Sequence, residues 1–366
     1  MEVMVMNNTN LPNAQFWYGK RVLVTGHTGF KGSWLVLWLQ RMGAQVCGLG
    51  LKPETEPSLF EGAKIAQLCE HHICDIRDIQ SMRFTVSQNQ PEIVFHLAAQ
   101  ALVRRSYREP AATFEVNAQG TANVLDVLRD VASVKAIVAI TTDKVYENRA
   151  SIYPFRENDL LGGHDPYSAS KAAAEIIISS YRDSFFAGRG VGLASARAGN
   201  VIGGGDWSED RLIPDAVRAW TSSQVLQIRN PIATRPWQHV IEPLAGYLRL
   251  SEKLWAEPVA HSSAFNFGPG VESTATVRTI IDMAQTCFGS GQVAYGAAGA
   301  ALHEAQLLSL DVSKARAMLS IAPQWTLQQT IKRTIAWYKA GQHTEGMRER
   351  CYRDLDAYIS PAGADT

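Results

Sequence analysis

Tyr167 and Lys171 stand four residues apart, so on a helix they share one face. A free tyrosine keeps its proton up to a pKa near 10, and a neighbouring ammonium favours the phenolate. The pair predicts a tyrosine lowered in pKa by its lysine and able to take a proton from a substrate hydroxyl, while Lys171 also holds a ribose. Pro166 suits a helix start. Such pairs occur by chance. This one gains weight from its place after a strand over residues 136–141 and downstream of a glycine turn.

That turn is Gly26, Gly29 and Gly32. Val22, Leu23 and Val24 before it read as a buried parallel strand, and Leu35, Val36, Leu37 and Leu39 after it as a helix. A strand, a glycine turn and a helix N-terminus present backbone N–H groups to an anion. Gly26 permits the tight turn, Gly29 the approach of a pyrophosphate, and Gly32 close packing of helix on strand. Thr28, Phe30 and Lys31 are further candidates for cofactor contact, Phe30 being equally suited to the core. An NAD site usually has an acid after the second strand, here residues 44–49, to bond the adenosine ribose. This chain has Gly50, Leu51 and Lys52 there, and Lys52 would suit a 2′-phosphate, so spacing leaves NAD and NADP both open.

Asp75, with Ile76 beside it, ends a third strand where an adenine contact is expected, and Asp78 is expected to cap a helix. Cys69, His71, His72 and Cys74 superficially resemble a metal cluster. The segment reads instead as a loop entering a strand with diverging side chains, and no metal site is expected. Residues 93–97 form another buried strand, with His96 a satisfied polar residue inside the sheet. Leu97, Ala98, Ala99 and Gln100 would let the backbone run along a cofactor. Helices over 111–130 and 167–186 and a strand over 191–197 complete a strand–helix alternation. The fold class expected is α/β, a Rossmann-like doubly wound parallel sheet with ligands at the carboxyl ends of its strands.

Beyond Gly205 the pattern becomes irregular, with helices near 212–221, 244–255 and 326–338. The reading is a large domain over 18–205 and about 229–261, and a smaller mixed α/β substrate lobe over about 206–228 and 262–340. Residues 1–17 read as a loose arm and 341–366 as a polar tail. Asn200 and Arg235 are candidates for the phosphates or ribose of a substrate, a guanidinium matching paired oxygens. Trp207, Trp237 and His239 suit packing as well as binding. The 366 residues carry 35 basic and 35 acidic side chains, which points to neither a nucleic-acid partner nor an anionic membrane surface. Five cysteines without a Cys-x-x-Cys pair fit a reduced, cytoplasmic chain.

Thr25–Gly32, the acids around Asp75, Leu97–Gln100, Asn117 and Tyr167–Lys171 together resemble the extended short-chain dehydrogenase/reductase family, over about 18–338. Thr142-Asp143-Lys144 looks like the Thr-Asp-Glu triplet of nucleotide-sugar 4,6-dehydratases, with Lys in place of Glu. Residues 197–207 and 235–240 resemble the branch that takes CDP-glucose. The resemblance implies NAD as cofactor and a place in dideoxysugar and O-antigen precursor synthesis. It implies Tyr167 as base toward the 4-hydroxyl, Thr142 (and Gln100) at the sugar, Lys144 as base at carbon 5 and Asp143 as acid to the departing 6-hydroxyl. It also implies a homodimer or homotetramer through the 111–130 and 167–186 helices, both apolar on more than one side. A 4-epimerase or reductase on the same scaffold would need neither Asp143 nor Lys144. A dinucleotide-sensing regulator would not need the Tyr–Lys pair.

Overall fold

The structure is a computed structural model that describes residues 10–148, 153–270, 274–296, 308–341 and 346–360. Its strands in chain order are β1 (Arg21–Thr25), β2 (Gln45–Gly50), β3 (Glu70–Ile73), β4 (Ile93–His96), β5 (Ala136–Ile140), β6 (Gly192–Ala198), β7 (Asn200–Ile202), β8 (Val225–Ile228), β9 (Thr234–His239), β10 (Ala264–Phe267), β11 (Thr274–Thr276) and β12 (Gln292–Tyr295). Seven form one sheet in the order β10-β6-β5-β4-β1-β2-β3, and every pairing in it is parallel. Sequence order reverses between β1 and β4, which places a crevice at their carboxyl ends.

The central strands are apolar along their length because both sheet faces are covered. Val22 and Val24 face one layer, with Trp34 to Leu39 of the Phe30–Arg41 helix and the Ile241–Ala256 helix. Leu23 between them faces the other, with Met82, Val124, Leu128 and Ile178. The doubly wound α/β fold is therefore as the alternation predicted.

Several stretches differ from the sequence expectation. The helix expected over 111–130 is Pro110–Phe114 and Gly120–Arg129 joined through a wide π turn at Glu115–Gln119, and a Val103–Arg108 helix precedes it. The expected tail contains the Met347–Ile359 helix, in which Cys351, Leu355 and Tyr358 are buried. Their i, i+4, i+7 spacing was masked by a polar composition, and Tyr358 Oη donates to Glu242 Oε2 at 2.7 Å. The part of the N-terminal arm that is described, from Asn10 on, is not loose. Trp17 is fully buried and its Nε1 donates to Glu252 Oε1 at 2.8 Å. Residues 1–9 and 361–366 lie outside the described residues.

Beside the large sheet stand a three-stranded sheet, β11-β9-β7, and the pair β12-β8. β10, expected in the smaller lobe, instead extends the large sheet alongside β6. The segment around Cys69 and Cys74 is itself strand β3, with His71 bonded to His27 and His72 to Glu70, so its side chains part company. Asp78 caps the Ile79–Asn89 helix through bonds from Gln80 and Ser81.

Candidate active site

The β1 turn supplies the first wall. Gly26 has φ +73°, and a Cβ there would stand 2.7 Å from the Ala98 backbone nitrogen. On Gly32 a Cβ would meet the Gly26 carbonyl at 2.2 Å. Both glycines are thus required by contact, one by the loop after β4 and one by the turn itself. Gly29 is the N-cap of the Phe30–Arg41 helix and no side chain among the described residues caps it, so the first-turn N–H groups are available to an anion. Lys31 is half-buried at this helix start, and burial together with the Arg211 guanidinium draws its ammonium down to about 8. Phe30 packs against the core, its ring beside Gly203. Thr28 Oγ1 lies beside Gly50 at the end of β2.

The second wall follows β4. The Thr25 hydroxyl accepts from Ala98 N at 3.2 Å and contacts His96 Nδ1 at 2.8 Å, while His96 Nε2 meets Thr121 Oγ1 at 3.1 Å. His96 is the satisfied buried polar residue expected, and burial lowers it to about 3. Asn117 Oδ1 accepts from Gln100 N at 2.9 Å, and its Nδ2 donates to Gln100 O and Ser170 Oγ. The Gln100 side chain is spent locally: its Nε2 donates to Thr113 Oγ1 and its Oε1 accepts from Leu102 N. Asp75 is gripped by Arg77, whose hydrogen bonds hold its carboxyl below the usual range, and Ile76 is buried against Gly120.

The third wall is chemical. β5 ends at Ile140, and a single 3₁₀ turn over Asp143–Val145 comes after it, with Thr142 as its cap. Asp143 is fully buried. Its Oδ1 accepts from Thr142 Oγ1 and from Lys144 Nζ, each at 3.0 Å, and its Oδ2 has no partner among the described residues. Lys144 is 28% exposed, so the pair is half open rather than a solvated loop pair. Tyr167, near the start of the Pro166–Tyr181 helix, is hydrogen-bonded with Thr142. Tyr167, Thr142, Asp143 and Lys144 thus form one connected group at the carboxyl edge of the sheet.

Lys171 Nζ donates to Ile140 O at 3.2 Å, and burial draws it down to about 8 against the field of Glu175. The phenol of Tyr167 shifts opposite to the expectation. Burial raises it, outweighing the Thr142 bond and the positive field of Arg211. Arg211 was not singled out from the sequence. It reaches the β4 loop through a bond to Ala101 O at 3.0 Å, and nothing in its local spacing marks it. Glu175 was missed too, although it continues the Tyr167–Lys171 spacing by one more turn.

Of the substrate candidates, Asn200 begins β7 with its Oδ1 buried and without a hydrogen-bond partner among the described residues. Arg235 is buried on β9, with one guanidinium nitrogen donating to Thr234 O at 2.9 Å. Trp237 and His239 are packing residues: Trp237 Nε1 donates to Ala275 O, and the His239 ring lies against Trp34 and Trp325.

The sequence pattern of the GDP-mannose 4,6 dehydratase family matches residues 23–334. A CDP-glucose 4,6-dehydratase of Salmonella typhimurium is 48% identical over 350 residues, 94% of this chain and 98% of that protein. The chain belongs to the nucleotide-sugar dehydratase family. A UDP-glucose 4-epimerase of Mycolicibacterium smegmatis is 26% identical over 87% of this chain and 98% of its own length. Among solved structures, UDP-glucose 4-epimerase of Thermotoga maritima superposes with a TM-score of 0.76 at 23% identity, covering 88% of this chain and 99% of that one. The dTDP-glucose 4,6-dehydratase of Bacillus anthracis, in complex with NAD, gives 0.73 at 19% identity, covering 88% and 98%. Dehydratases and epimerases share this fold, so the fold alone does not separate the two chemistries. The dehydratase family and the extended short-chain scaffold are those the motifs implied.

Proposed function

We propose that this dehydratase converts CDP-glucose to CDP-4-keto-6-deoxyglucose with NAD that ends as it began. The observation that carries the reading is the single hydrogen-bonded group formed by Tyr167, Thr142, Asp143 and Lys144 at the carboxyl edge. An epimerase needs the first of these but not the acid–lysine pair.

The dinucleotide fits the β1 turn on the structure's own terms: an uncapped helix start, glycines at the points of closest approach, and Lys31 beside them. Gly26, Thr28, Gly29, Phe30, Lys31 and Gly32 would surround its pyrophosphate. Asp75, Ile76 and the backbone of Leu97 to Gln100 would line its adenosine and ribose side. NAD bound there supplies the acceptor for the hydride that leaves carbon 4 and the donor that returns it to carbon 6.

The remaining steps belong to side chains. Tyr167, as the phenolate that Lys171 stabilises, takes the proton of the 4-hydroxyl as the carbonyl forms, and Thr142 hydrogen-bonds the 4-oxygen. The carbonyl acidifies carbon 5, whose proton passes to Lys144. Asp143 gives a proton to the 6-hydroxyl, which leaves as water, and a proton returns to carbon 5 as carbon 6 is reduced. Asn200 and Arg235 hold the diphosphate and nucleotide ribose. The product belongs to the class from which dideoxysugars of O-antigens are built, and a cytoplasmic enzyme suits that supply.

Apolar side chains on the helices expected to pair remain outside the core: Ile176 is 62% exposed, Phe114 40% and Phe185 38%. Such a face favours a two-fold pairing into a homodimer or a dimer of dimers. A monomer by light scattering at micromolar concentration contradicts this. For the reaction, purified protein is offered a panel of nucleoside-diphosphate sugars and the products are weighed. Loss of one water from CDP-glucose, with no net NADH, supports the proposal. Unchanged mass, or stoichiometric NADH release, overturns it.

A further inference from the structure

Glu175 is buried, and no step above uses it. It continues the ladder Tyr167, Lys171, Glu175 at four-residue intervals, so all three lie along one face of the Pro166–Tyr181 helix. Its carboxylate accepts three bonds: Oε1 from Thr141 Oγ1 at 2.5 Å, and Oε2 from Ser195 Oγ at 2.7 Å and from the Arg197 guanidinium at 2.7 Å.

The partners give this arrangement its meaning. Thr141 immediately precedes Thr142, Asp143 and Lys144, and Ile140, whose carbonyl accepts from Lys171, precedes Thr141. Two side chains one helical turn apart therefore grip two successive residues at the end of β5. Arg197 donates from its other nitrogen to Tyr146 Oη at 2.9 Å and to Glu157 O at 3.0 Å, closing the network on the far side of the Asp143–Val145 turn.

We propose that Glu175 is a positioning residue that keeps the buried Lys171 in its ammonium form and holds the Tyr167–Lys171 pair in register with Thr142, Asp143 and Lys144. The charged and titratable groups around Lys171 support this. Lys31 on the Phe30–Arg41 helix and His96 on β4 both feel its charge as repulsion. Asp143 is taken by Lys144, and burial shifts the Tyr167 phenol upward. Glu175 is the carboxylate that opposes the desolvation of Lys171. Arg197 offsets part of the charge of Glu175 and so permits a carboxylate at this depth.

The inference rests on the proposed catalytic pair, and its test separates the two. Glu175→Gln keeps the shape and removes the charge. Folding is monitored by circular dichroism, and the pH dependence is read twice: in kcat for dehydration and in NAD binding by fluorescence titration. The expected result is a folded protein whose alkaline limb moves to lower pH by about 1 unit or more in both readouts. A merely structural role would lower activity or melting temperature and leave the limb in place. Should the lone Arg197 charge prevent folding, the double variant Glu175→Gln, Arg197→Met removes both charges, and the same displacement is expected there. A folded variant with the wild-type limb in both readouts overturns the inference. Failure of the wild type to dehydrate CDP-glucose overturns the catalytic reading instead.

Discussion

Lys144 Nζ and Asp143 Oδ1 are 3.0 Å apart, and the Asp143 carboxylate is fully buried with its second oxygen unpartnered among the described residues. A buried, under-bonded carboxylate is costly, and it has a proton donor within reach. In the proposed elimination the two divide the work, Lys144 at the carbon 5 proton and Asp143 at the 6-hydroxyl.

Removing either partner should therefore spare oxidation at carbon 4 and block elimination across carbons 5 and 6. Lys144→Ala and Asp143→Asn are expected to lower turnover by ~10²–10⁴-fold. In single-turnover mixing with CDP-glucose each should build up absorbance in the NADH band. The Lys144 variant should also lose exchange of the carbon 5 proton with solvent deuterium. Normal turnover in Lys144→Ala contradicts the assignment.

Tyr167→Phe should fail one step earlier. Its hydroxyl is bonded with Thr142, and its phenolate is the proposed acceptor of the 4-hydroxyl proton. The same mixing experiment should then show a rate loss of similar size, ~10²–10⁴-fold, and no reduced cofactor. An NADH transient here that is missing in Lys144→Ala would reverse the roles.

Gly32→Ala tests the cradle. The added methyl would stand 2.2 Å from the Gly26 carbonyl and 2.7 Å from His27 Cα, backbone atoms that cannot swing aside. The expected cost is about 1–3 kcal/mol of stability together with weakened NAD binding. Thermal melting and a binding titration read these separately, and wild-type values in both would contradict the packing argument.

Glu242 gives a pH signature unconnected with catalysis. Burial pushes its carboxyl from the usual range up to about 7, although it accepts bonds from Gln324 N, Trp325 N and Tyr358 Oη. A carboxyl raised in the folded state binds its proton more tightly there than in the unfolded chain. Its contribution is fully present below about 4.5 and is lost as pH rises through about 7. The loss is on the order of 3 kcal/mol. Glu242→Gln should flatten the fall in melting temperature between about pH 4.5 and 7, and an unchanged slope would contradict this.

The glycine turn, the Tyr–Lys pair and the parallel sheet were legible because each depends on local spacing: three glycines around one turn, four residues along one helix, apolar runs in buried strands. The Met347–Ile359 helix was hidden because its buried face is narrow. Cys351, Leu355 and Tyr358 suffice once Glu242 and the Phe30–Arg41 helix are there to receive them. Arg211, and the part played by Arg197 within its motif, were hidden for another reason. Their partners, Ala101 and Glu175, lie 110 and 22 residues away and meet them only through the sheet and its loops. The direction of the Tyr167 shift could not be read from spacing either, since the four-residue step shows the lysine but not the depth at which the phenol is buried.

The central claim is an oxidation at carbon 4 whose hydride returns to carbon 6 of the same sugar. CDP-glucose carrying deuterium at carbon 4, converted by the wild-type protein and examined by mass spectrometry and NMR, tests it most directly. The account predicts a product lighter by one water, with the deuterium now on carbon 6 and no free NADH. A product of unchanged mass, or one that has lost the deuterium to solvent or to released NADH, contradicts it.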